Sequence, residues 1–253
     1  MSISVVFVIK QGISQGYCFW ESLQSCLPFA DELIISEGFS TDGTYEALLQ
    51  FQNKYENRLS IKIYREEWTE ESYHGEAIRL VSEVALSMAT KEWHYYLQAD
   101  EVIHEDNIHF IKSVSKLKYN SISFRFFHFN RAWVPSKEGY KEAIRMVRGG
   151  KDIKLKGDAY TFEGNDIYPM CPSDKSPKPI YHFNWSFSAQ NDLKDIEHAK
   201  LYQNYPEYRQ KGLNALKTLH NEKEPYPLDP SFTDFPKVSR RFIGKAKYTL
   251  PEN

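Results

Sequence analysis

Two adjacent carboxylates, Asp100 and Glu101, follow the apolar stretch Trp93 to Leu97 after two intervening residues. Adjacent negative charges repel each other unless a positive group lies beside them. A hard divalent cation such as Mg²⁺ or Mn²⁺ meets this need with one or two carboxylates and the oxygens of a bound phosphate. The pair therefore marks a candidate cation site, and the alternative is an ordinary exposed acidic turn.

Other polar residues also follow short apolar runs, and the pattern of these runs predicts an α/β fold. Through the first hundred residues the apolar positions alternate between strand-like runs and helical spacing, in the order β-α-β-α-β-α-β. Such crossovers imply a mostly parallel sheet with helices on both faces, which binds ligands beyond the carboxyl ends of its strands. The polar clusters at these ends are Lys10, the stretch Glu37 to Asp42, and Asp100 with Glu101.

The second half of the chain has a less regular pattern. It predicts a helix near 108–117, strands near 122–126 and 144–148, a proline-rich loop at 168–179, and a helix over 193–216 that is interrupted near Pro206. We expect a single domain with two halves, residues 1–105 and residues 106–253.

Composition excludes several classes of protein. The 253 residues carry 32 basic and 34 acidic side chains, a net charge of −2, so a general nucleic-acid binder is not expected. The charge is uneven, about −8 over residues 1–120 and +6 over the rest. Three cysteines without metal spacing indicate free thiols, and with no signal peptide or membrane-spanning run they predict a cytoplasmic protein.

Two motifs resemble those of family 2 glycosyltransferases. Residues 31–44 match the second-strand signature, in which an acidic residue and a Gly precede Ser-Thr-Asp-Gly-Thr. Residues 93–101 resemble the metal motif Asp-x-Asp at the end of the fourth strand, in a bacterial subgroup that reads Leu-Gln-Ala-Asp-Glu. The order and the spacing of about 60 residues agree as well. The resemblance is good over residues 3–105 and weaker beyond them.

The resemblance implies a GT-A (Rossmann-like) fold, a UDP- or GDP-sugar donor, Mn²⁺ or Mg²⁺ as the metal ion, and inversion at the anomeric carbon. With this fold we expect residues 1–105 to bind the nucleotide sugar and residues 106–253 to bind the acceptor. It implies that Asp100 and His182 hold the metal, and that Glu37 contacts the nucleoside. The first acidic position of the metal motif is Gln98 here, which can hydrogen-bond but does not neutralise charge. The full set expected at the nucleotide sugar is Lys10, Glu37, Asp42, Arg79, Gln98, Ala99, Arg145, Arg148 and Trp185.

Transfer of a sugar also needs a general base for the acceptor hydroxyl, and we expect it from the second half. Asp158, Glu163 and Asp166 are the candidates, with Asp158 favoured because it follows Gly157 and matches the subgroup's motif. The alternative for each is a loop carboxylate in a surface ion pair.

Each of the three arginines expected at the nucleotide sugar also has an interpretation that involves no ligand. Arg79 can instead pair with Glu76 or Glu83 along its helix. Arg145 and Arg148 can hold a diphosphate or an anionic acceptor, or form a solvated basic edge.

The hypothesis is thus a metal-dependent inverting transferase that adds one sugar to a glycan or lipid-linked acceptor. Its basic C-terminal tail is a candidate for peripheral membrane contact. Two alternatives remain open. A sugar nucleotidyltransferase should carry a Gly-rich, Arg-Lys-containing loop after the first strand, which Lys10-Gln11-Gly12-Ile13 does not supply. A non-catalytic nucleotide- or glycan-binding module is kept open by Gln98.

Overall fold

The computed structural model describes residues 2–68, 75–131, 133–202, 204–219, 221, 223–226 and 228–251. The strands are β1 Ile3–Ile9, β2 Glu32–Glu37, β3 Ser60–Arg65, β4 Trp93–Gln98, β5 Glu101–Ile103, β6 Ser121–Asn130, β7 Glu142–Arg148, β8 Ile153–Lys156, β9 Thr161–Gly164, β10 Met170–Cys171 and β11 Ile180–Trp185. The helices are α1 Phe19–Cys26, α2 Thr44–Tyr55, α3 Glu76–Ser87, α4 Asn107–Val114, α5 Asn191–Leu201 and α6 Pro206–Thr218.

One sheet runs through both halves of the chain, in the order β3-β2-β1-β4-β7-β6-β11-β5, with β10 beside β6. The first four strands of this order are parallel, as the helical crossovers predicted. β1 is buried at all seven positions because it lies between two strands and under helices on both faces. The α/β fold class is confirmed, and β8 and β9 form a separate hairpin.

The register brings the polar clusters of the first half to one edge of the sheet. Val8 pairs with Gln98 and Ile9 pairs with Glu37, so β1, β2 and β4 end side by side. The loops that follow these strands are therefore neighbours, and they begin with Lys10, Gly38 and Ala99.

The second half joins this sheet with reversed strands. β7 is antiparallel to both β4 and β6, and β11 is parallel to β6 but antiparallel to β5. β5 belongs to the first half in sequence but pairs only with β11 in the sheet order. The two halves thus share one continuous sheet.

The C-terminal segment packs onto the core through buried aromatic rings, Phe235, Phe242 and Tyr248. Its Arg241 forms an ion pair with the buried Glu21, which also accepts a hydrogen bond from Tyr248 at 2.9 Å. Part of the basic tail is therefore engaged within the fold, and peripheral membrane contact stays a prediction. No helix in the described ranges is long and apolar enough to cross a membrane.

Glu32, at the start of β2, ties the sheet to the end of α3 and gives a pH-dependent prediction. Burial alone raises the pKa of Glu32, but hydrogen bonds from Ser4 and Thr90 and the ammonium of Lys62 outweigh burial and lower that pKa from 4.5 to about 2. A carboxylate with a lowered folded-state pKa stabilises the fold above pH 4.5, and this contribution is lost as the pH falls toward 2.

We expect Glu32→Gln to lower the free energy of unfolding at pH 7 by about 3 kcal/mol, and the deficit to shrink between pH 5 and pH 2. Urea titrations of both proteins across this pH range measure it, with the exposed Glu56→Gln as the matched control. A deficit that stays constant with pH would contradict the assignment.

Candidate active site

A cleft of about 240 Å³ opens where β1 and β4 end, and residues from both halves of the chain line it. Its floor is formed by the ends of these strands, and its far wall comes from β11, α5 and α6. Aromatic side chains make up much of the lining: Tyr17, Trp68, Tyr96, Tyr140, Tyr160, Trp185, Tyr202 and Tyr208. A cleft of this kind, apolar with a few converging polar groups, is the usual form of a small-molecule site.

Asp100 is held in this cleft by two basic side chains. Its Oδ1 lies 3.2 Å from Nε2 of His182, and its Oδ2 lies 3.2 Å from Nζ of Lys194. Burial alone would raise the pKa of Asp100, but His182 and Lys194 hold it well below its usual range. Asp100 is therefore an ionised carboxylate in a nearly closed setting.

The neighbours of His182 determine which of its ring nitrogens donate hydrogen bonds. His128 Nε2 lies 2.7 Å from the Tyr140 carbonyl oxygen, which can only accept, so this nitrogen carries a hydrogen. Burial and the nearby His182 lower the pKa of His128 to about 4, so its ring is neutral and its Nδ1 is an acceptor. His182 Nδ1, 2.8 Å away, then donates to it, while His182 Nε2 faces the Asp100 carboxylate. Both nitrogens of His182 thus act as donors.

Lys194 is the second cation beside Asp100 and is fully enclosed. It lies on α5, it is 1% exposed, and its ammonium also donates to the carbonyl oxygen of Asn184. The rings of Tyr17 and Trp185 face the ammonium at 4.1 and 5.0 Å. Burial lowers the pKa of Lys194, and the contact with Asp100 opposes this effect.

These residues do not fit a divalent metal ion. Both Asp100 oxygens already face cationic groups, and a His182 ring that donates from both nitrogens has no lone pair for a metal. The first position of the motif, Gln98, supplies no charge. Within the described part of the chain, no three His, Cys, Asp or Glu side chains cluster in a way that would hold a metal ion.

The end of the cleft next to β1 and β2 combines Lys10 with Trp68. A Cβ atom on Gly38 would lie 2.9 Å from Lys10 Cβ and from Trp68 Nε1, so only glycine permits this close approach. Trp68 Nε1 is buried without a hydrogen-bond partner among the described residues, although the indole ring lines the cleft. An indole N–H beside an aromatic face suits a planar, polar ring as ligand.

Asp158 enters the cleft from the loop between β8 and β9. Its Oδ2 accepts a hydrogen bond of 2.6 Å from the hydroxyl of Tyr202, at the end of α5. Gly75, with a φ of +71°, begins α3 beside this pair, and a Cβ there would lie 2.6 Å from the Tyr202 hydroxyl oxygen. Tyr202 also stacks on Tyr208, with ring centroids 4.8 Å apart. The carboxylate is thus fixed in orientation within an aromatic wall.

Comparison with known proteins bears on the fold. No protein-family model and no curated protein matches this sequence. Among solved structures, S. aureus TarS 1-349 in complex with UDP is similar over 86% of this chain and 71% of its own, with a TM-score of 0.50 and 18% identity. The chain has a GT-A fold. This confirms the fold that the sequence motifs predicted.

Two further solved structures are similar at lower scores. Another crystal structure of S. aureus TarS 1-349 matches 87% of this chain and 73% of its own, with a TM-score of 0.48 and 18% identity. The mannosyltransferase PcManGT from Pyrobaculum calidifontis, in complex with GDP-Man and Mn²⁺, matches 87% and 70%, with a TM-score of 0.46 and 13% identity. These neighbours are glycosyltransferases.

The GT-A cleft brings together seven of the predicted site residues. The predicted residues that line it are Lys10, Gln98, Ala99, Asp100, Asp158, His182 and Trp185. Trp185 is also held in place, because its indole Nε1 donates to Asp195 at 2.9 Å.

Glu37 and Asp42 lie behind the cleft and organise its loops. The buried Glu37 accepts hydrogen bonds from the Ser40 amide at 2.6 Å and from Arg65 Nε at 2.7 Å. Asp42 accepts from the Ser14 amide at 2.7 Å and from Thr44 at the start of α2. Both carboxylates are thus engaged by the protein, and neither is among the residues that line the cleft.

Arg145 and Arg148 are not among the residues that line the cleft, because β7 runs antiparallel to β4. The guanidinium of Arg145 lies behind the cleft wall, against Tyr140 and Tyr160. Arg148 pairs in register with Trp93, at the amino end of β4, and forms an ion pair with Glu92. Arg145 is fully buried and forms an ion pair of 2.6 Å with Glu101. Glu101 is therefore the partner of an internal arginine, and the Asp-Glu pair does not act as one acidic unit.

Arg79 and Glu163 have the alternative roles that the sequence left open. Arg79 pairs with both Glu76 and Glu83 along α3, and it is not among the cleft residues. Glu163 lies on β9, is 53% exposed, and pairs with Lys156 across the hairpin at 3.2 Å. Of the three candidate bases, Asp158, Glu163 and Asp166, only Asp158 lines the cleft.

Sequence reasoning missed the groups that α5 and the tyrosines contribute. Lys194 lies in a helix with no motif around it, and His128 lies in a strand that showed only alternating apolar positions. The one available signal in the sequence is the high aromatic content, 15% of the chain. Several of those rings do pack the core, but eight of them line the cleft.

Proposed function

We propose that this protein is a glycosyltransferase that transfers one sugar from a UDP- or GDP-sugar to a glycan or lipid-linked acceptor, with inversion at the anomeric carbon. The observation that carries the proposal is the cleft itself. It combines a cationic centre around Asp100, an oriented carboxylate at Asp158 and an aromatic wall at the carboxyl ends of the strands of a GT-A sheet. The resemblance to family 2 motifs agrees with it.

In this proposal the nucleoside lies by Lys10 and Trp68, and the diphosphate lies toward His182. The acceptor oxygen attacks the anomeric carbon while the bond between that carbon and the phosphate oxygen breaks, and nucleoside diphosphate leaves. Asp158 takes the proton of the acceptor hydroxyl, and Tyr202 holds the carboxylate through its Oδ2. A single direct displacement inverts the configuration. Metal dependence is not part of the proposal, because the residues around Asp100 do not fit a metal ion.

Glu37 retains a proposed role at the nucleotide end, through the loop that it orders. We expect Glu37→Ala to weaken nucleotide binding by about 1–3 kcal/mol, since it removes two hydrogen bonds to a buried carboxylate. Calorimetric titration with UDP and GDP measures this. Asp42→Ala is the comparison, because it removes the hydrogen bonds that Asp42, in the same loop, accepts from Ser14 and Thr44 and leaves those of Glu37. Equal losses in both variants would show general loop damage and contradict a specific role for Glu37.

A panel of nucleotides tests the proposed function directly. A nucleotide at about 100 times its dissociation constant adds about 2.7 kcal/mol of stability, which a thermal-shift assay detects. UDP, GDP and their sugars should shift the melting temperature, and adenosine should not. No shift with any nucleotide would contradict the proposal.

The alternative is a module that binds nucleotide sugars without transferring the sugar, and Gln98 in place of an acidic residue favours it. Slow transfer of the donor sugar to water separates the two. A transferase should release sugar from UDP-GlcNAc, UDP-glucose or GDP-mannose over hours, and a binding module should return the donors intact.

A further inference from the structure

The charges around Asp100 differ from those of a metal site. One carboxylate, Asp100, faces the ammonium of Lys194 and the ring of His182, each at 3.2 Å. The ammonium of Lys194 cancels the charge of Asp100 and His182 supplies N–H donors, whereas two metal-binding carboxylates without their metal would carry a net charge of about −2.

The positions of Asp100, His182 and Lys194 relative to the cleft determine which of them can act on a bound ligand. Asp100 and His182 line the cleft, whereas Lys194 lies behind them under Tyr17 and Trp185. A buried cation at this depth is poorly screened by water, so its charge acts over the neighbouring part of the cleft. Lys10 also lines the cleft, whereas Lys200 is paired there with Glu197 at 2.7 Å. Lys10, Lys194 and His182 are therefore the groups available to a bound anion.

We infer that Lys194 and His182 take the place of a divalent cation, so that this cleft binds and stabilises a nucleoside diphosphate without a metal ion. The inference rests on the proposed function. Lys194 acts as a positioning residue, because it neutralises one oxygen of Asp100 while the other oxygen faces Nε2 of His182. The growing negative charge of the leaving diphosphate then meets protein cations, a form of electrostatic stabilisation that needs no exchangeable ion.

Binding of UDP and GDP to the full chain, in excess EDTA and in excess Mn²⁺, tests this inference without relying on turnover. We expect the same affinity in both conditions. Affinity that rises tenfold or more with Mn²⁺ would overturn the inference and leave the proposed function standing. Failure of both nucleotides to bind in either condition would overturn the proposed function and the inference together.

Lys194 variants supply the second arm. Lys194→Met keeps the length of the side chain and removes the charge, so it should weaken binding of UDP and GDP about tenfold or more, with little effect on uridine and guanosine. It also frees one Asp100 oxygen, and Mn²⁺ should now tighten diphosphate binding. Lys194→Arg should retain metal-independent binding, and the exposed Lys217→Met is the matched control.

Thermal melts of each variant accompany these titrations. Equal weakening of nucleosides and diphosphates in Lys194→Met would mark a purely structural lysine and overturn the inference. Where Lys194→Met does not fold, the wild-type comparison in EDTA and Mn²⁺ decides the question alone.

Discussion

Asp158→Asn is expected to lower turnover by about 10²–10⁴ while donor binding stays nearly unchanged. The asparagine preserves the shape of the side chain and the contact with Tyr202, whose hydroxyl donates to Oδ2 at 2.6 Å. It removes the basicity that takes the acceptor's proton. Because the acceptor is not yet identified, release of sugar to water provides the first readout, with nucleotide affinity measured in parallel.

Glu163→Gln is the matched control for this prediction. Glu163 lies five positions further along the chain but on the exposed face of a hairpin, paired with Lys156. We expect it to leave turnover unchanged. Loss of turnover in Glu163→Gln with Asp158→Asn fully active would move the base to the hairpin. Full activity in both variants would place the base on another residue of the cleft.

The largest expected effect on stability comes from Arg145. Its guanidinium contacts both oxygens of Glu101, donates to the Tyr160 carbonyl, and lies 3.0 Å from the Tyr140 hydroxyl. The side chains of Arg145 and Glu101 are both fully buried. Arg145→Met leaves the Glu101 carboxylate in the interior without its counter-charge. We expect the free energy of unfolding to fall by about 3–5 kcal/mol, measured by urea denaturation.

Two further variants separate the charge effect from a loss of packing. Arg145→Met combined with Glu101→Leu removes both charges and should recover part of the lost stability, because the penalty arises from the unpaired carboxylate. Glu92→Gln, in the half-exposed pair with Arg148, should change stability little. A double variant no more stable than Arg145→Met alone would contradict the assignment.

The sequence by itself predicted the parallel half of the sheet and the loops at its edge. Apolar runs such as Ile3 to Ile9 are decisive because a strand buried on both faces leaves no room for polar residues. Turn and capping residues such as Asp42 and Gly43 show where α2 begins. In the same way, β4 ends at Gln98, two residues before Asp100. These are local signals, and each is read from a few neighbouring residues.

The second half carries fewer local signals, and its expectations were accordingly mixed. The helix over 193–216 with a break near Pro206 is found as α5 and α6. The short strands β5 and β10 were not predicted, since two or three residues give no periodicity. The proline-rich stretch was expected as a loop, and it does hold β10 and a short 3-10 turn as well.

Only the tertiary structure decided which charges meet. Arg145 and Arg148 lie three residues apart and look alike in sequence. Because β7 runs antiparallel to β4, Arg145 is buried against Glu101, whereas Arg148 lies beside Trp93 at the amino end of β4 and pairs with Glu92. Lys194 is 94 residues from Asp100 in the chain, and the packing of α5 against the end of β11 brings the two together. The sequence determined the elements and the position of the cleft through local, periodic patterns. The charge within the cleft depends on strand direction and on helix packing, and neither leaves a pattern along the chain.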